Sequence, residues 1–205
     1  MRHVIILAHP DPASFNASVA KRYAAAVQAL GDEADLRDLY ALGFDPRLPA
    51  RELPWRSDFG VADEVVAEWK ALEAAQVLVF VYPLWFNAPP AMLKGYVERV
   101  FAMGFGYARA EPGARPLLSG KSLVTISTSG APQDWVDQTG ALARLRAAFD
   151  DHLAAVCGLT VLEHLNLGGV TPGIRHDAGQ AMLDEVASLA RRLFAPAAPN
   201  GPAAH

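Results

Sequence analysis

The chain has a single cysteine, Cys157, and no long apolar run. One cysteine excludes an intramolecular disulfide and any cysteine-rich metal site. The six histidines form no Glu-x-x-His or His-x-His group, so we expect no metal site. No apolar segment approaches the roughly 20 residues of a membrane span. The apolar residues that follow Arg2-His3 are too few for a signal peptide. These absences predict a cytoplasmic protein without an integral membrane segment.

A strong excess of charge is also missing. The formal net charge is −4 at pH 7, whereas a domain that binds nucleic acid usually presents a basic surface, so we expect no nucleic-acid partner. Hydrophobic residues make up 52% of the 205 residues and charged residues 20%, which is the composition of a globular protein. We predict one domain over residues 1–194, followed by a disordered tail rich in Pro and Ala over 195–205.

Several motifs that carry common chemistries are absent or misplaced. No Gly-x-Gly-x-x-Gly follows the first apolar segment, which disfavours a Rossmann dinucleotide site. Gly120-Lys121-Ser122 imitates the end of a P-loop, but it precedes a strand pattern, and Gly113 lies seven residues before Gly120 where the motif needs five. No Cys-x5-Arg follows Cys157, which argues against a phosphatase. No Gly-x-Ser-x-Gly is present, which argues against an α/β-hydrolase nucleophile.

What is present is an alternation of short apolar segments with helical patterns. The predicted strands span 4–7, 33–39, 76–82, 121–127 and 160–165, and the predicted helices span 16–30, 61–75, 91–103, 136–156 and 178–194. The segments 41–59 and 104–119 are predicted to be loops. Segments 4–7 and 76–82 are apolar throughout, as in strands buried on both faces, whereas the more polar 33–39 indicates an edge strand. This alternation predicts an α/β fold with a parallel, doubly wound sheet.

Three loops are candidates for a common binding site. Such sheets bind ligands outside the carboxyl ends of their strands, near the point where the strand order reverses. The loops that follow the first, third and fourth predicted strands span 9–16, 83–90 and 128–135. We therefore expect these loops to lie side by side.

The first of these loops leads directly into a helix. A helix N-terminus attracts anions, and phosphate above all, because its first amides are free and its dipole is positive there. The uncharged Ser14 and Asn16 suit such a phosphate site. Either residue could instead cap the helix, and the loop alone does not decide between the two interpretations.

The other two loops have the composition expected for a flat aromatic ligand. Residues 82–90 carry three aromatic residues and three prolines, and proline stiffens the backbone against which a ring can be held. Residues 128–131 are small and allow the backbone to approach a ring closely. Together with an uncharged phosphate loop, this pattern suits a flavin. The alternative is that Trp85 and Phe86 simply cover the top of the sheet.

A series of short segments over residues 2 to 194 follows the order and similar spacing of a known family. The segments are Leu7-Ala8-His9-Pro10, Ser14-Phe15-Asn16, Asp38-Leu39-Tyr40-Ala41, Phe44-Asp45-Pro46, Pro83-Leu84-Trp85-Phe86, Pro90-Ala91-Met92-Leu93-Lys94-Gly95, Glu98-Arg99-Val100-Phe101, Phe105-Gly106-Tyr107, Ile126-Ser127-Thr128-Ser129-Gly130, Cys157-Gly158 and Val161-Leu162-Glu163. With them the chain resembles the flavodoxin-like NAD(P)H:quinone oxidoreductases. That group contains the mammalian DT-diaphorases, the bacterial drug-activity modulators and the ancillary quinone reductases of potassium-efflux systems.

The resemblance implies a fold and a set of cofactor-binding residues. The fold is a flavodoxin-like five-stranded parallel sheet of order 2-1-3-4-5 with helices on both faces. The flavin phosphate and the groups beside it would contact His9, Ser14, Phe15, Asn16 and Ala17. The isoalloxazine would contact Pro83, Leu84, Trp85, Phe86 and Asn87, and its far edge Thr128, Ser129 and Gly130. FAD is the expected cofactor and FMN the alternative, with Thr171 and Arg175 near the adenine end of FAD.

The resemblance also implies the activity and the assembly. Hydride passes from NAD(P)H to the flavin and then to a quinone or similar acceptor by ping-pong exchange, so no side chain need be catalytic. Family members are usually homodimers, and Phe105, Tyr107 and Trp135 would line the substrate pocket. In the animal enzymes a Tyr and a His follow the fourth strand, where this chain has Trp135 and Ala141. Tryptophan can donate one N–H but cannot relay a proton, which places quinone reduction by the animal mechanism in doubt.

Two other functions stay open on the sequence. The chain could be a flavin-binding ancillary subunit of a potassium-efflux system whose reductase activity is incidental. It could also be a flavodoxin-type electron carrier, although a net charge of −4 is mild for a protein that docks through a strongly acidic face.

Overall fold

A computed structural model of the protein describes residues 1–196, so residues 197–205 of the predicted tail lie outside the described residues. The strands are β1 (Arg2–Leu7), β2 (Glu33–Asp38), β3 (Val77–Pro83), β4 (Tyr107–Arg109), β5 (Ala114–Pro116), β6 (Ser122–Thr128) and β7 (Thr160–Leu167). The helices are α1 (Phe15–Gln28), α2 (Asp63–Glu73), α3 (Ala91–Val100), α4 (Gln133–Thr139), α5 (Ala141–Ala148), α6 (Asp150–Cys157) and α7 (His176–Phe194), with a 3₁₀ turn at Ala50–Glu52. None of these helices combines the length and apolarity needed to cross a bilayer.

The main sheet is parallel and has the order β2-β1-β3-β6-β7. These are the five strands predicted from the sequence, and their order confirms the predicted flavodoxin-like arrangement 2-1-3-4-5. Every residue of β3 is buried, as a central strand requires, while the polar β2 lies at an edge and is partly exposed.

The two faces of the sheet are covered by different helices. Alternate residues of β3 point to opposite faces, so Phe80 belongs to the core beneath α2, α3 and α6, while Val79 belongs to the core beneath α1 and α7. Tyr23 of α1 and Val186 of α7 are both buried in this second core. Helices on both faces leave the carboxyl edge of the strands as the open end of the sheet.

Two sequence predictions about secondary structure are wrong. The predicted loop 104–119 contains an antiparallel hairpin, in which β4 pairs with β5. The predicted helix 136–156 is three helices, because Gly140 adopts a left-handed conformation (φ 64°) and Phe149 departs from helical geometry (φ −116°). Asp150, the residue directly after this second break, is completely buried.

The predicted excursion 41–59 is fixed to the body of the protein by the buried Arg99 of α3. Its guanidinium donates from Nε and Nη2 to both carboxylate oxygens of Glu52, over 2.9 and 2.7 Å. Nη1 donates to the carboxylate of Glu64 over 2.5 Å and also to the backbone carbonyl of Asp45. The hydrogen bonds to Glu52 first, and to Glu64, raise the pKa of Arg99, so its guanidinium stays positively charged between these two acidic groups.

Candidate active site

The loops after β1, β3 and β6 meet at the carboxyl edge of the sheet. β1, β3 and β6 are neighbours, and the amide of Leu84 donates to the carbonyl of Thr128 over 2.7 Å. Asn16 reaches across β3, where its side-chain amide donates to the Thr128 hydroxyl over 3.0 Å. The predicted convergence of three loops is therefore present in the structure.

The first loop presents hydrogen-bond donors and carries no acidic residue in the first turn of its helix. Ser14 is the N-cap of α1, and its hydroxyl accepts from the amide of Ala17 over 3.2 Å. The amides of Phe15 and Asn16 have no intrahelical acceptor, as at any helix start. His9 Nδ1 accepts from the amide of Asp11 over 3.0 Å, so the proton of the neutral ring is on Nε2, which can donate to a ligand.

The second loop holds aromatic residues in a strained, exposed turn. Trp85 and Ala88 exchange two backbone hydrogen bonds of 3.1 Å, and the two residues between them, Phe86 and Asn87, have φ angles of 52° and 55°. A bulky residue with positive φ is uncommon and costs on the order of 1 kcal/mol or more. Phe86 is fully exposed and Trp85 nearly half exposed. This turn therefore holds two large apolar side chains at the mouth of the site, and no described residue of the chain covers Phe86.

The third loop is held in place by the residues that follow β7. The Ser129 amide donates to the Leu167 carbonyl over 3.0 Å, while the amides of Gly169 and Val170 donate to the carbonyls of Ala131 and Ser129 over 2.8 and 2.9 Å. These three hydrogen bonds, and a fourth from the Ser129 hydroxyl to the Ala131 carbonyl, fix the shape of the loop.

Gly130 lies at the tip of this loop and is not required by the packing of the chain. A Cβ atom built on Gly130 would meet its nearest neighbours, Val170 and Thr171, at 3.9 and 4.0 Å, which is ordinary van der Waals contact. Thr171 is thus beside the loop, whereas the exposed Arg175 pairs with Asp177. The space beside Gly130 is what a flat ligand would need for close approach to the backbone.

Phe105 lies away from the three loops within the same chain. Its ring stacks on Trp69 with 5.6 Å between centroids and 7° between planes. Both side chains line a groove with Lys121, whose ammonium donates to the carbonyls of Glu73 and Ala75 immediately before β3. Phe105 is therefore placed near the amino ends of the strands.

Tyr107 and Trp135 also occupy separate places. Tyr107, in the hairpin, lines a groove between α3 and α6 with Val97 and Phe149. Trp135 lies in the first turn of α4, after the third loop, and is about half exposed. Phe105 and Tyr107 thus line separate grooves, and Trp135 lines neither of them. A substrate pocket that contains all three stays a prediction.

Beneath the third loop lies a buried hydrogen-bonded series that the sequence reasoning missed, here named the Asp150–Ser129 chain. It runs from Asp150 through His164, Ser127 and Asn166 to Ser129, with successive separations of 2.5, 2.9, 2.9 and 3.2 Å. The signal in the sequence was the alternation of the polar Thr125 and Ser127 with apolar neighbours in β6, continued by Ser129 after the strand, beside His164 and Asn166 on the neighbouring strand.

Other chemistries find no support in the described residues. Burial raises the pKa of Cys157 to about 11, so its thiol stays protonated and is a poor nucleophile. Burial, and to a lesser extent the charge of Asp150, raise the pKa of Tyr82 well above its usual value, so the phenol stays neutral. Within residues 1–196, no three His, Cys, Asp or Glu side chains cluster as metal ligands would.

Sequence comparison places the chain among oxidoreductases. A family model described as a flavodoxin-like fold matches residues 1–190. A protein of Haemophilus influenzae named an uncharacterized NAD(P)H oxidoreductase is 31% identical over 171 residues, which cover 83% of this chain and 85% of the relative. The rat NAD(P)H dehydrogenase [quinone] 1 is 30% identical over 182 residues, which cover 79% of this chain but only 66% of the longer rat protein.

Solved structures have the same architecture. An NAD(P)H:quinone oxidoreductase from Methanothermobacter marburgensis superposes with a TM-score of 0.84 at 26% identity, covering 95% of this chain and 99% of that one. An FMN-dependent NADH-azoreductase from Bacillus anthracis, solved in complex with FMN, shares the fold with a TM-score of 0.70 at 22% identity, covering 94% and 98%. The chain therefore belongs to the flavodoxin-like family that includes the NAD(P)H:quinone oxidoreductases.

Proposed function

We propose that the protein is a flavin-dependent NAD(P)H oxidoreductase that reduces quinones or similar acceptors. The observation that carries this proposal is the meeting of the three loops, fastened by the Asn16–Thr128 hydrogen bond, at the carboxyl edge of the sheet. The names of the relatives in Haemophilus influenzae, rat and Methanothermobacter marburgensis support the same reaction class.

The residues of the site fit a flavin. The first-turn amides of α1, a turn that contains no acidic residue, together with the Nε2 proton of His9, suit a phosphate, and the open space beside Gly130 suits a ring. When bound, the flavin supplies two-electron exchange between the nicotinamide and the acceptor. The protein's part is to hold the phosphate at α1, to position the ring between the second and third loops, and to exclude water with Trp85 and Phe86. Trp135 can donate its indole N–H but cannot move a proton, so no side chain is assigned a proton-transfer role.

FAD is the cofactor we propose, with FMN as the alternative. Thr171 lies beside Gly130 and could contact the adenine half of FAD, while the FMN complex of the Bacillus anthracis azoreductase favours the shorter cofactor. Heat release of the cofactor from the purified protein, followed by chromatography, identifies it directly. We expect yellow protein that releases FAD. Protein that is colourless and takes up neither added FAD nor added FMN would contradict the proposal.

We further propose that the protein works as a homodimer in the cytoplasm. A second copy would bring Tyr107 or Phe105 beside Phe86, which no described residue of the same chain covers, and beside the half-exposed Trp85 and Trp135. A single cysteine, the buried Cys157, suits a reducing compartment. No observation on the described residues favours the ancillary-subunit or electron-carrier alternatives.

A prediction at Gly130 separates a ligand-facing role from a packing role. Gly130→Ala should leave the stability of the flavin-free protein within about 1 kcal/mol of wild type, because the new methyl group meets only ordinary contacts. Flavin affinity should fall roughly tenfold, since the methyl group enters the space for the ring. Thermal unfolding and fluorescence titration with FAD measure the two effects.

The matched control is Gly168→Ala. A Cβ at Gly168 would lie 2.4 Å from the Gln133 backbone nitrogen, so this substitution should destabilise the fold by roughly 1–3 kcal/mol even without flavin. If Gly130→Ala bound FAD as tightly as wild type, the loop would not approach the ring closely.

A further inference from the structure

The Asp150–Ser129 chain has a fixed direction, which can be established from its exposed end. Gln133 donates its amide hydrogen to the carboxylate of Asp137 over 2.9 Å, so its carbonyl oxygen faces Asn166 and accepts over 2.9 Å. Asn166 therefore presents its NH₂ group to Gln133 and to Ser129, and its oxygen to Ser127. The Ser127 hydroxyl has a single proton, and it donates this proton in a hydrogen bond to the Asn166 oxygen.

The same reasoning fixes the protonation of the buried histidine. Because the Ser127 proton is committed to Asn166, the Ser127 oxygen must accept from His164, whose Nε2 therefore carries a proton. His164 Nδ1 lies 2.5 Å from the carboxylate of Asp150, a separation at which a lone pair cannot face an unprotonated oxygen. The other carboxylate oxygen accepts from the Thr125 hydroxyl over 3.0 Å.

It follows that Asp150 and His164 share one proton and are neutral as a pair. A neutral pair suits this place, since both side chains are fully buried and an uncompensated charge there would be costly. The direction also excludes a hydrolytic triad: Ser127 is buried, and its proton points to Asn166 instead of to the imidazole that would have to remove it.

We propose that Asp150, His164, Ser127 and Asn166 are positioning residues that hold the loop of Ser129, Gly130 and Ala131 in the shape that receives the flavin ring. The Asp150–Ser129 chain ends where the Asn166 amide donates to the Ser129 hydroxyl, which in turn donates to the Ala131 carbonyl. The donors along the Asp150–Ser129 chain all point the same way, from the proton shared at Asp150 to the Asn166 amide that reaches the loop, so they reinforce one another. The role in flavin binding rests on the proposed function, whereas the role in holding the loop does not.

Ser127→Ala and Thr125→Val form a matched pair that tests this proposal. Both substitutions remove one buried hydroxyl from the same face of β6. Ser127→Ala interrupts the Asp150–Ser129 chain between His164 and Asn166, whereas Thr125→Val removes only the donor to Asp150 at the end far from the loop. Each should lower the Tm of the flavin-free protein by roughly 2–4 °C per hydrogen bond lost, which is two in Ser127→Ala and one in Thr125→Val.

Two readouts should separate the pair. Hydrogen exchange at the amides of Gly169 and Val170, which donate to Ala131 and Ser129, reports on the loop without flavin. We expect exchange there about tenfold faster in Ser127→Ala and within twofold of wild type in Thr125→Val, with FAD dissociation constants changed in the same proportions. Asp150→Asn should leave both readouts within twofold, because its amide can donate to Nδ1 and preserve the direction of the chain.

The outcomes distinguish the two claims. Equal effects of Ser127→Ala and Thr125→Val on exchange at Gly169 and Val170 would overturn the positioning role, as would an Asp150→Asn effect as large as that of Ser127→Ala. If hydrogen exchange separates the variants as expected but wild-type protein binds neither FAD nor FMN, the Asp150–Ser129 chain holds the loop and the proposed function is wrong. If exchange separates them and FAD binding does not, the loop does not receive the flavin ring and the proposal is also overturned.

Discussion

Replacing Ser14 by Asp should weaken flavin binding by roughly 30- to 1,000-fold while leaving the flavin-free protein as stable as wild type. Aspartate is as good an N-cap as serine and interacts favourably with the helix dipole, so the capping role that Ser14 has in the structure is preserved. A carboxylate about 4 Å from a phosphate, however, costs up to roughly 4 kcal/mol at the effective dielectric of a protein surface. Fluorescence titration with FAD and thermal unfolding without it measure the two quantities.

Ser14→Asn is the control for this substitution, since asparagine caps as well as aspartate but is neutral. It should cost far less flavin affinity than Ser14→Asp. Equal affinities for the two variants would show that no phosphate lies at the N-terminus of α1, and Ser14 would then be a helix cap alone. The two interpretations that the sequence left open for this residue are decided by this comparison.

Removing the buried guanidinium of Arg99, which fixes the excursion 41–59 to the body of the protein, should have the largest effect on stability. Arg99→Met leaves both carboxylate oxygens of Glu52 without their guanidinium partner in a site where Glu52 is only 6% exposed. Breaking a buried pair in this way typically costs about 3–5 kcal/mol, because the remaining charge is desolvated and unpaired. Urea unfolding of the flavin-free protein measures the change in the free energy of unfolding.

Arg192→Met is the corresponding control on the surface. Arg192 also makes two hydrogen bonds to one carboxylate, that of Glu163, over 2.8 and 2.9 Å, but both partners are partly exposed. An exposed pair contributes roughly 0–1 kcal/mol, so this variant should unfold close to wild type. Similar losses of unfolding free energy in the two variants would mean that Arg99 and its partners do not anchor residues 45–64.

The sheet could be predicted because its central strands have a recognisable apolar sequence pattern. β1 and β3 are buried on both faces, so their residues 4–7 and 77–82 form unbroken apolar runs in the sequence, and the polar β2 is recognised as an edge strand. The hairpin of β4 and β5 was missed because its strands are three residues long and too short to show a period. The breaks at Gly140 and Phe149 were missed because helical spacing of apolar residues continues through both.

The three loops of the site could be predicted from the sequence, but the buried hydrogen bonds that hold the third loop could not. The rule that ligands bind beyond the carboxyl ends of parallel strands identified three loops, and the structure places them side by side. The Asp150–Ser129 chain could not be read from spacing alone. His164 follows Asp150 by 14 residues and Ser127 by 37, and only the register of β6 against β7 brings them together.

The central claim is that this site holds a flavin that exchanges hydride with a nicotinamide and then with an acceptor. The most direct test is an anaerobic titration of the FAD-loaded protein, first with NADH or NADPH and then with a soluble benzoquinone, followed by visible absorption. We expect one equivalent of the nicotinamide to bleach the flavin bands and one equivalent of the quinone to restore them. Flavin bands that neither nicotinamide bleaches, or that the quinone fails to restore after bleaching, would contradict the account.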